Sequence, residues 1–284
     1  MILGPAAKAA AGIAFLSIMD AVIKALAAYY PVLQVSFLRF ASGTLAAVLL
    51  VAVMRPGFPS RETVMANGLR SVVAMLTATS FFYALSQLPL AEVLVLSFLA
   101  PMLVAVFAGL LLKERIDRQI VLALAAGFVG TVIVVAGHGG GDGDTRSWAG
   151  VASALFSAVV YALNLVLLRQ RAQRDHFVFI VLLQNVGPFL LLAPAAAAVW
   201  APPTIAHVGW FLSLGVLGVA GHVLMAVAFA RAEAARLAPL EYTALIWAAL
   251  IGYVVFDEVP TFATAIGAVL IIGAAAMASR RKMI

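Results

Sequence analysis

The chain has 284 residues, 65% of them hydrophobic and 11% charged, with a mean hydropathy of +1.11. Soluble domains run at about 45–50% apolar and about 25% charged residues, so this composition excludes a water-soluble core and implies a membrane protein. The net charge of +6 comes from basic residues spread among the loops rather than gathered on one face, which speaks against nucleic acid as a partner; with no cysteine, neither disulfides nor thiolate metal sites arise.

The apolar runs are each about 18 residues or longer, enough to cross roughly 30 Å of hydrocarbon as helices that satisfy their own backbone groups; a β-barrel would alternate apolar and polar residues instead. The expected fold is all-α and integral to the membrane. Span 1 is expected at about 9–27 and span 2 at about 32–54, with Tyr29-Tyr30-Pro31 as an interfacial aromatic turn between them. Span 1 carries Asp20 and Lys24 and no weighty basic leader, and reads as a mature helix rather than a cleaved signal. Arg55 to Glu62 leads into span 3 at about 65–86, and Gln87-Leu88-Pro89 turns into span 4 at about 91–112. The connector Lys113 to Gln119 precedes span 5 at about 120–137. His138 to Ser147, HGGGDGDTRS, is the glycine-rich joint between two halves, placing a first repeat at 1–137, a linker at 138–147 and a second repeat at 148–284. Span 6 at about 148–168 is followed by Arg169 to Asp175, and span 7 at about 176–200 ends at Ala201-Pro202-Pro203 because proline cannot continue a helix. Spans 8, 9 and 10 are expected at about 207–230, 239–256 and 261–278.

Laid over itself at a shift of 144 residues, the chain puts Glu114 on Glu258, Ala91 on Ala235 and Asp20 on Asn164. Fourteen Lys and Arg residues fall on the side of the N-terminus and Arg146 alone on the other, while Lys24, Arg39 and Arg70 lie within spans. That asymmetry implies ten spans with both termini cytoplasmic. Five spans per half is an odd number, so the second half enters from the opposite face; antiparallel repeats of this kind recur in secondary transporters, with sites at the repeat interface near mid-membrane.

On these residues the chain resembles the drug/metabolite transporter superfamily in its EamA-type ten-helix form, over nearly its whole length. The pattern stands as Pro101, LLLKE ending at Glu114, Ala123 and Gly130 in the first half, and as Leu245, VVFDE ending at Glu258, Gly267 and Gly273 in the second. The second half departs from it at Leu245, where proline is common, and at Asp257, where glycine is usual. In size and aromatic distribution the chain is similar to bacterial YddG-type aromatic amino-acid exporters. The resemblance implies a multi-pass protein of the bacterial inner membrane that exports aromatic and other apolar amino acids by alternating access, with multidrug or other metabolite efflux as the alternative.

Ionisable groups in a span are costly and suggest function. Ser17, Asp20 and Lys24 share one stripe of span 1; they form either a polar cavity wall or a self-neutralised pair with Lys24 snorkelling outward. Ser153, Ser157, Tyr161 and Asn164 share a face of span 6, as path lining or as glue between helices. Tyr83, His222 and Trp247 are the candidates for direct cargo contact, since rings combine apolar area with a polar edge; ordinary packing is the competing reading. Arg39 and Arg70 are read as structurally paired or snorkelling ahead of binding a substrate carboxylate. Gly137 to Gly141 resembles an oxyanion loop but no G-x-S-x-G elbow accompanies it, and Gly141 to Asp144 is a solvated loop rather than a calcium site. No P-loop is present, and no metal or cofactor is called for. An intramembrane enzyme on lipid-linked substrates would need clustered catalytic groups, and the spans offer only Asp20, Glu92 and Glu241. The expected partners are a small-molecule substrate and membrane lipid, and a monomer is compatible with two repeats in one chain.

Overall fold

A computed structural model describes residues 4–87, 93, 96–97, 99–114, 118–136 and 148–256, with residues 266, 269, 270 and 273 beyond them. Among the described residues all regular structure is helical: α1 Pro5–Ala27, α2 Val32–Met54, α3 Arg61–Gln87, α4 Leu99–Leu112, α5 Arg118–Ala136, α6 Trp148–Ala172, α7 Phe177–Ala198, α8 Ile205–Arg231 and α9 Thr243–Phe256. The helices α1, α2, α3, α6, α7 and α8 are each long and apolar enough to cross a membrane. Large apolar side chains such as Leu49, Leu69, Leu110 and Val254 stand exposed on the outside of the bundle, as a lipid solvent allows. The glycine-rich joint, Glu92, Asp257-Glu258, Gly267 and most of span 10 lie outside the described residues.

Helix ends differ from expectation where local chemistry outweighs hydropathy. Helix α3 starts at Arg61 rather than near 65, because Ser60 caps it: its Oγ accepts from Thr63 N at 3.1 Å. Helix α6 runs on to Ala172 rather than stopping near 168, its last turn held by Arg171 and Asp175 four residues apart. Span 9 is broken at its start. A helical turn at Ala234–Leu237 passes into a 3-10 turn, Ala238–Tyr242, which carries Pro239, and the regular helix resumes only at Thr243.

The two halves repeat at one common offset. Adding 144 to the bounds of α1, α2, α3 and α4 gives 149–171, 176–198, 205–231 and 243–256, within one residue of α6 and α7 and coincident with α8 and α9. Packing obeys the same exchange: α1 lies against α8 as α6 lies against α3, α2 against α8 as α7 against α3, and α4 against α6 as α9 against α1, while α2 and α7 cross on the axis. At the centre a Cβ on Gly215 would run into the backbone of Ser42 and Gly43, and a Cβ on Gly187 would run into Ser71 Oγ; Gly43 and Gly187 are mates, as are Ser71 and Gly215. Small residues let the helix backbones approach closely there.

The ends of the bundle show that the mates are inverted. Past the end of α1, Tyr30 Oη meets His207 Nδ1 at 2.8 Å and accepts from Thr204 N at 3.1 Å at the start of α8. Past the end of α6, Asp175 accepts from Thr63 Oγ1 at 2.9 Å and from Asn67 Nδ2 at 2.7 Å at the start of α3. Since α1 starts on the face where α6 ends, one plan of contact occurs on opposite faces. The chain is a ten-helix membrane protein built from a five-helix unit and its inverted copy.

Candidate functional site

A cavity of about 190 Å³ lies between the halves. Helix α1 turns Ile13, Leu16, Ser17 and Asp20 into it, which recur at the spacing of one helical face. Helix α3 contributes Thr77, Ala78, Phe81 and Phe82, α6 contributes Ser157 and Tyr161, α2 contributes Arg39 and α8 contributes His222. Glu241 enters from the 3-10 turn. Repeat mates face one another across it: Ser17 and Tyr161, Ile13 and Ser157, Ala78 and His222, Ser97 and Glu241, Ala100 and Ala244. The cavity therefore straddles the pseudo-twofold axis. In three of these pairs the second half substitutes a larger polar group for a small or apolar one (Tyr161 for Ser17, His222 for Ala78, Glu241 for Ser97), so a symmetric shape carries an asymmetric set of charges.

Each polar group is set by a neighbour. Tyr161 Oη donates to Glu241 Oε2 at 2.8 Å, joining α6 to the turn before α9. His222 Nδ1 lies 2.6 Å from the Gly218 carbonyl; a carbonyl only accepts, so Nδ1 carries the proton and a neutral ring keeps Nε2 as an acceptor. Arg39 is buried, donates from Nη1 to Asn185 Oδ1 at 3.0 Å and lays its Cζ 4.2 Å from the centre of the Phe40 ring. Asp20 and Arg39, of opposite charge, both line the cavity, from α1 and α2. The apolar remainder of the wall, with Leu16, Met19, Phe81 and Phe82, makes the cavity amphiphilic.

Four of the residues singled out in the sequence meet here: Ser17, Asp20, Tyr161 and His222. Three do not. Tyr83 is 41% exposed on the surface of α3, and Trp247 packs against the main apolar core. Asn164 is buried in a different cluster, where its Oδ1 accepts from Arg70 Nη1 at 3.1 Å. Ser153 and Ser157 donate to the carbonyls of Ser80 and Thr77 at 2.9 and 3.0 Å, so they bind α6 to α3, and Ser157 does so at the cavity edge. Arg39 and Glu241 are the cavity groups that the sequence did not single out as cargo contacts; their signal was an ionisable residue inside a span.

On the face where the chain starts, hydrogen bonds and ion pairs tie the two halves together. Arg70 gives Nη1 to Asn164, Nη2 to the Ile180 carbonyl at 3.1 Å and to Gln184 Oε1 at 2.9 Å, and Nε to Asn67 Oδ1 at 3.4 Å. Arg171 clasps Asp175 with Nε at 2.7 Å and Nη2 at 2.8 Å and reaches Glu62 at 3.0 Å. Burial works against the charge of Asp175, but the hydrogen bonds from Arg171, Thr63 and Asn67 together outweigh it and hold its carboxyl below the ordinary 3.8. Glu114, the motif glutamate of the first half, pairs with Arg169 at 3.1 Å and accepts from Ala235 N at 3.3 Å, tying α4 to α6 and to the turn before α9.

An inverted helical repeat with an amphiphilic cavity on its axis is the architecture of a membrane transporter of small molecules. The chain belongs to the EamA-like transporter family, whose pattern it matches twice, over residues 6–136 and 148–280. It is 31% identical over 277 residues to the pseudopaline exporter CntI of Pseudomonas aeruginosa, spanning 94% of this chain and 92% of that protein. It is 27% identical over 243 residues to an S-adenosylmethionine uptake transporter of Rickettsia bellii, spanning 85% and 81%. A solved crystal structure superposes with a TM-score of 0.78 at 23% identity, covering 95% of this chain and 98% of that one, which shows the same fold. The family and these relatives are transporters rather than enzymes.

Proposed function

We propose that the protein is a secondary transporter of the bacterial inner membrane, with both termini in the cytoplasm, that exports small amphiphilic metabolites by alternating access, aromatic and other apolar amino acids foremost. The observation that carries this reading is the lining of the axial cavity: Arg39 for a carboxylate, Asp20 and Glu241 for an ammonium, and Phe81, Phe82, Leu16 and Met19 for an apolar side chain. Its 190 Å³ is room for about half a dozen water molecules at about 30 Å³ each, a space on the scale of one small molecule. Ser17, Asp20, Tyr161 and His222 contact the cargo, with Arg39 and Glu241 joining them, whereas Asn164, Tyr83 and Trp247 serve packing. The excess of Lys and Arg on the N-terminal side supports the orientation, and the division into repeats at 1–137 and 148–284 supports rocking of one against the other. Similarity to an exporter at 31% identity favours the outward direction. The test is counterflow in proteoliposomes of the purified protein, with labelled phenylalanine, tryptophan or threonine exchanging against the unlabelled compound. Absence of exchange for all three overturns the amino-acid reading.

A further inference from the structure

Arg39 and Arg70 are buried well inside their spans, and the structure treats them differently. Arg70 is 1% exposed and its three nitrogens make four hydrogen bonds to protein. Arg39 is 4% exposed and, among the described residues, makes one, from Nη1 to Asn185 Oδ1, while its buried Nε has no partner. A guanidinium carries five N–H donors, and leaving them unmet away from water is costly. Packing accounts for part of this economy, since the guanidinium lies over the Phe40 ring and its Nε is shut in by neighbours, but it does not account for Nη2. Asn185 is itself fixed, donating to the Val181 carbonyl at 2.8 Å, so it presents one oxygen in one direction. Gly218 keeps the opposite side open: a Cβ there would stand 3.3 Å from Arg39 Nη2 and 3.1 Å from Met19 Sδ. The guanidinium is thus anchored by one nitrogen, flanked by a residue without a side chain, and turned toward the cavity with donors to spare. The repeat mate of Arg39 is Leu183, so the charge has no counterpart across the axis.

We propose that Arg39 is the carboxylate receptor of the cargo site and the residue that makes the transporter select amino acids over their uncharged-end analogues. Nη2, which no hydrogen bond among the described residues engages, and the second N–H of Nη1 beside it form the planar fork that grips a carboxylate by two oxygens, while Nε stays buried behind them. Asp20 supplies the counter-charge across the cavity and receives the cargo ammonium once the cargo carboxylate takes its place opposite Arg39. The cargo enters in one orientation, its acid end toward α2 and α8, and its side chain lies along Phe81 and Phe82. This inference rests on the amino-acid reading given above.

The test is competition in counterflow of labelled L-phenylalanine by unlabelled L-phenylalanine and by L-phenylalaninamide, whose carboxylate is capped. The wild-type protein is expected to prefer the acid at least about tenfold, the effect of losing one charge-assisted contact. Arg39→Gln is expected to bring that preference to about twofold or less, and Arg39→Lys, which keeps the charge without the fork, to leave it in between. Equal loss of both compounds in Arg39→Gln, with the preference intact, makes Arg39 structural and overturns the proposal. Should Arg39→Gln not fold, the wild-type arm decides alone: exchange of phenylalanine without preference over the amide overturns the receptor and leaves the transport reading standing. No exchange of phenylalanine, tryptophan or threonine by the wild type removes both.

Discussion

The clasp between Arg171 and Asp175 gives the most quantitative check on how this fold is closed. The carboxylate takes two hydrogen bonds from the guanidinium, at 2.7 and 2.8 Å, between side chains only 9% and 3% exposed. Breaking a buried pair by removing one partner costs about 3–5 kcal/mol, against under about 1 kcal/mol for an exposed pair. Neither ion is left wholly alone here. Arg171 keeps Glu62, whose side chain is 70% exposed, and Asp175 keeps Thr63 and Asn67. The expected cost of Arg171→Gln or of Asp175→Asn is therefore about 2–3 kcal/mol each, with a coupling energy of about 2 kcal/mol between them. Unfolding in mixed micelles, followed by loss of helical circular dichroism, measures both singles and the double. A coupling below about 0.5 kcal/mol, the value of a solvated surface pair, refutes the reasoning. The pH dependence has a fixed sign. The folded carboxyl titrates below its ordinary 3.8, so its stabilisation is full above that value and is lost as pH falls through the depressed one. The advantage of wild type over Asp175→Asn should be constant from neutral pH to about 5 and disappear only in strong acid.

Tyr161→Phe removes the hydroxyl 2.8 Å from Glu241 and leaves that carboxyl short of a donor; melting should report a loss of about 1–3 kcal/mol and exchange should fall with the fold retained. Gly215→Ala would drive a Cβ into the backbone of Ser42 at the axis and should cost about 1–3 kcal/mol, whereas Gly68→Ala, with open space around it, should stay within about 0.5 kcal/mol; monodisperse yield and melting compare the two. Tyr83→Ala, on the exposed surface of α3, should leave counterflow within about twofold of wild type at equal protein level.

Which parts of this architecture could be read from residue order follows from the solvent. The spans were legible because lipid demands unbroken apolar runs, and the offset of 144 was legible because Glu114 and Asp20 recur in kind at 258 and 164. The start of α3 was misplaced because Arg61 and Glu62 are polar, while a serine cap with a following threonine decides where the helix begins. Within the site, stripes such as Ser153, Ser157, Tyr161 and Asn164 were visible, but in a membrane the outside of a helix is as apolar as its inside, so spacing fixes the stripe and not which way it faces. Hence Tyr83 is exposed and outside the cavity lining while Thr77 and Phe81 of the same helix line it. Asp20 and Asn164, repeat mates in the sequence, serve two places, because Asn164 has Arg70 beside it and the mate of Arg70 is Leu214. Arg39 sits seven residues into α2, about 10 Å along its axis, too deep to snorkel without effort and yet with a single acceptor among the described residues.

The seals at the two ends share one design and differ in substance. At one end phenol, imidazole and the Gln34 amide join, the amide gripping Ala201 by both its N–H and its carbonyl, and none of these bonds needs a formal charge. At the other, carboxylates and guanidinium groups do the joining. Dissolved electrolyte reaches chiefly the exposed Glu62 arm of the second kind and hardly touches the first, so the ionic content of the water at one membrane surface trims that tie while the far end feels little of it.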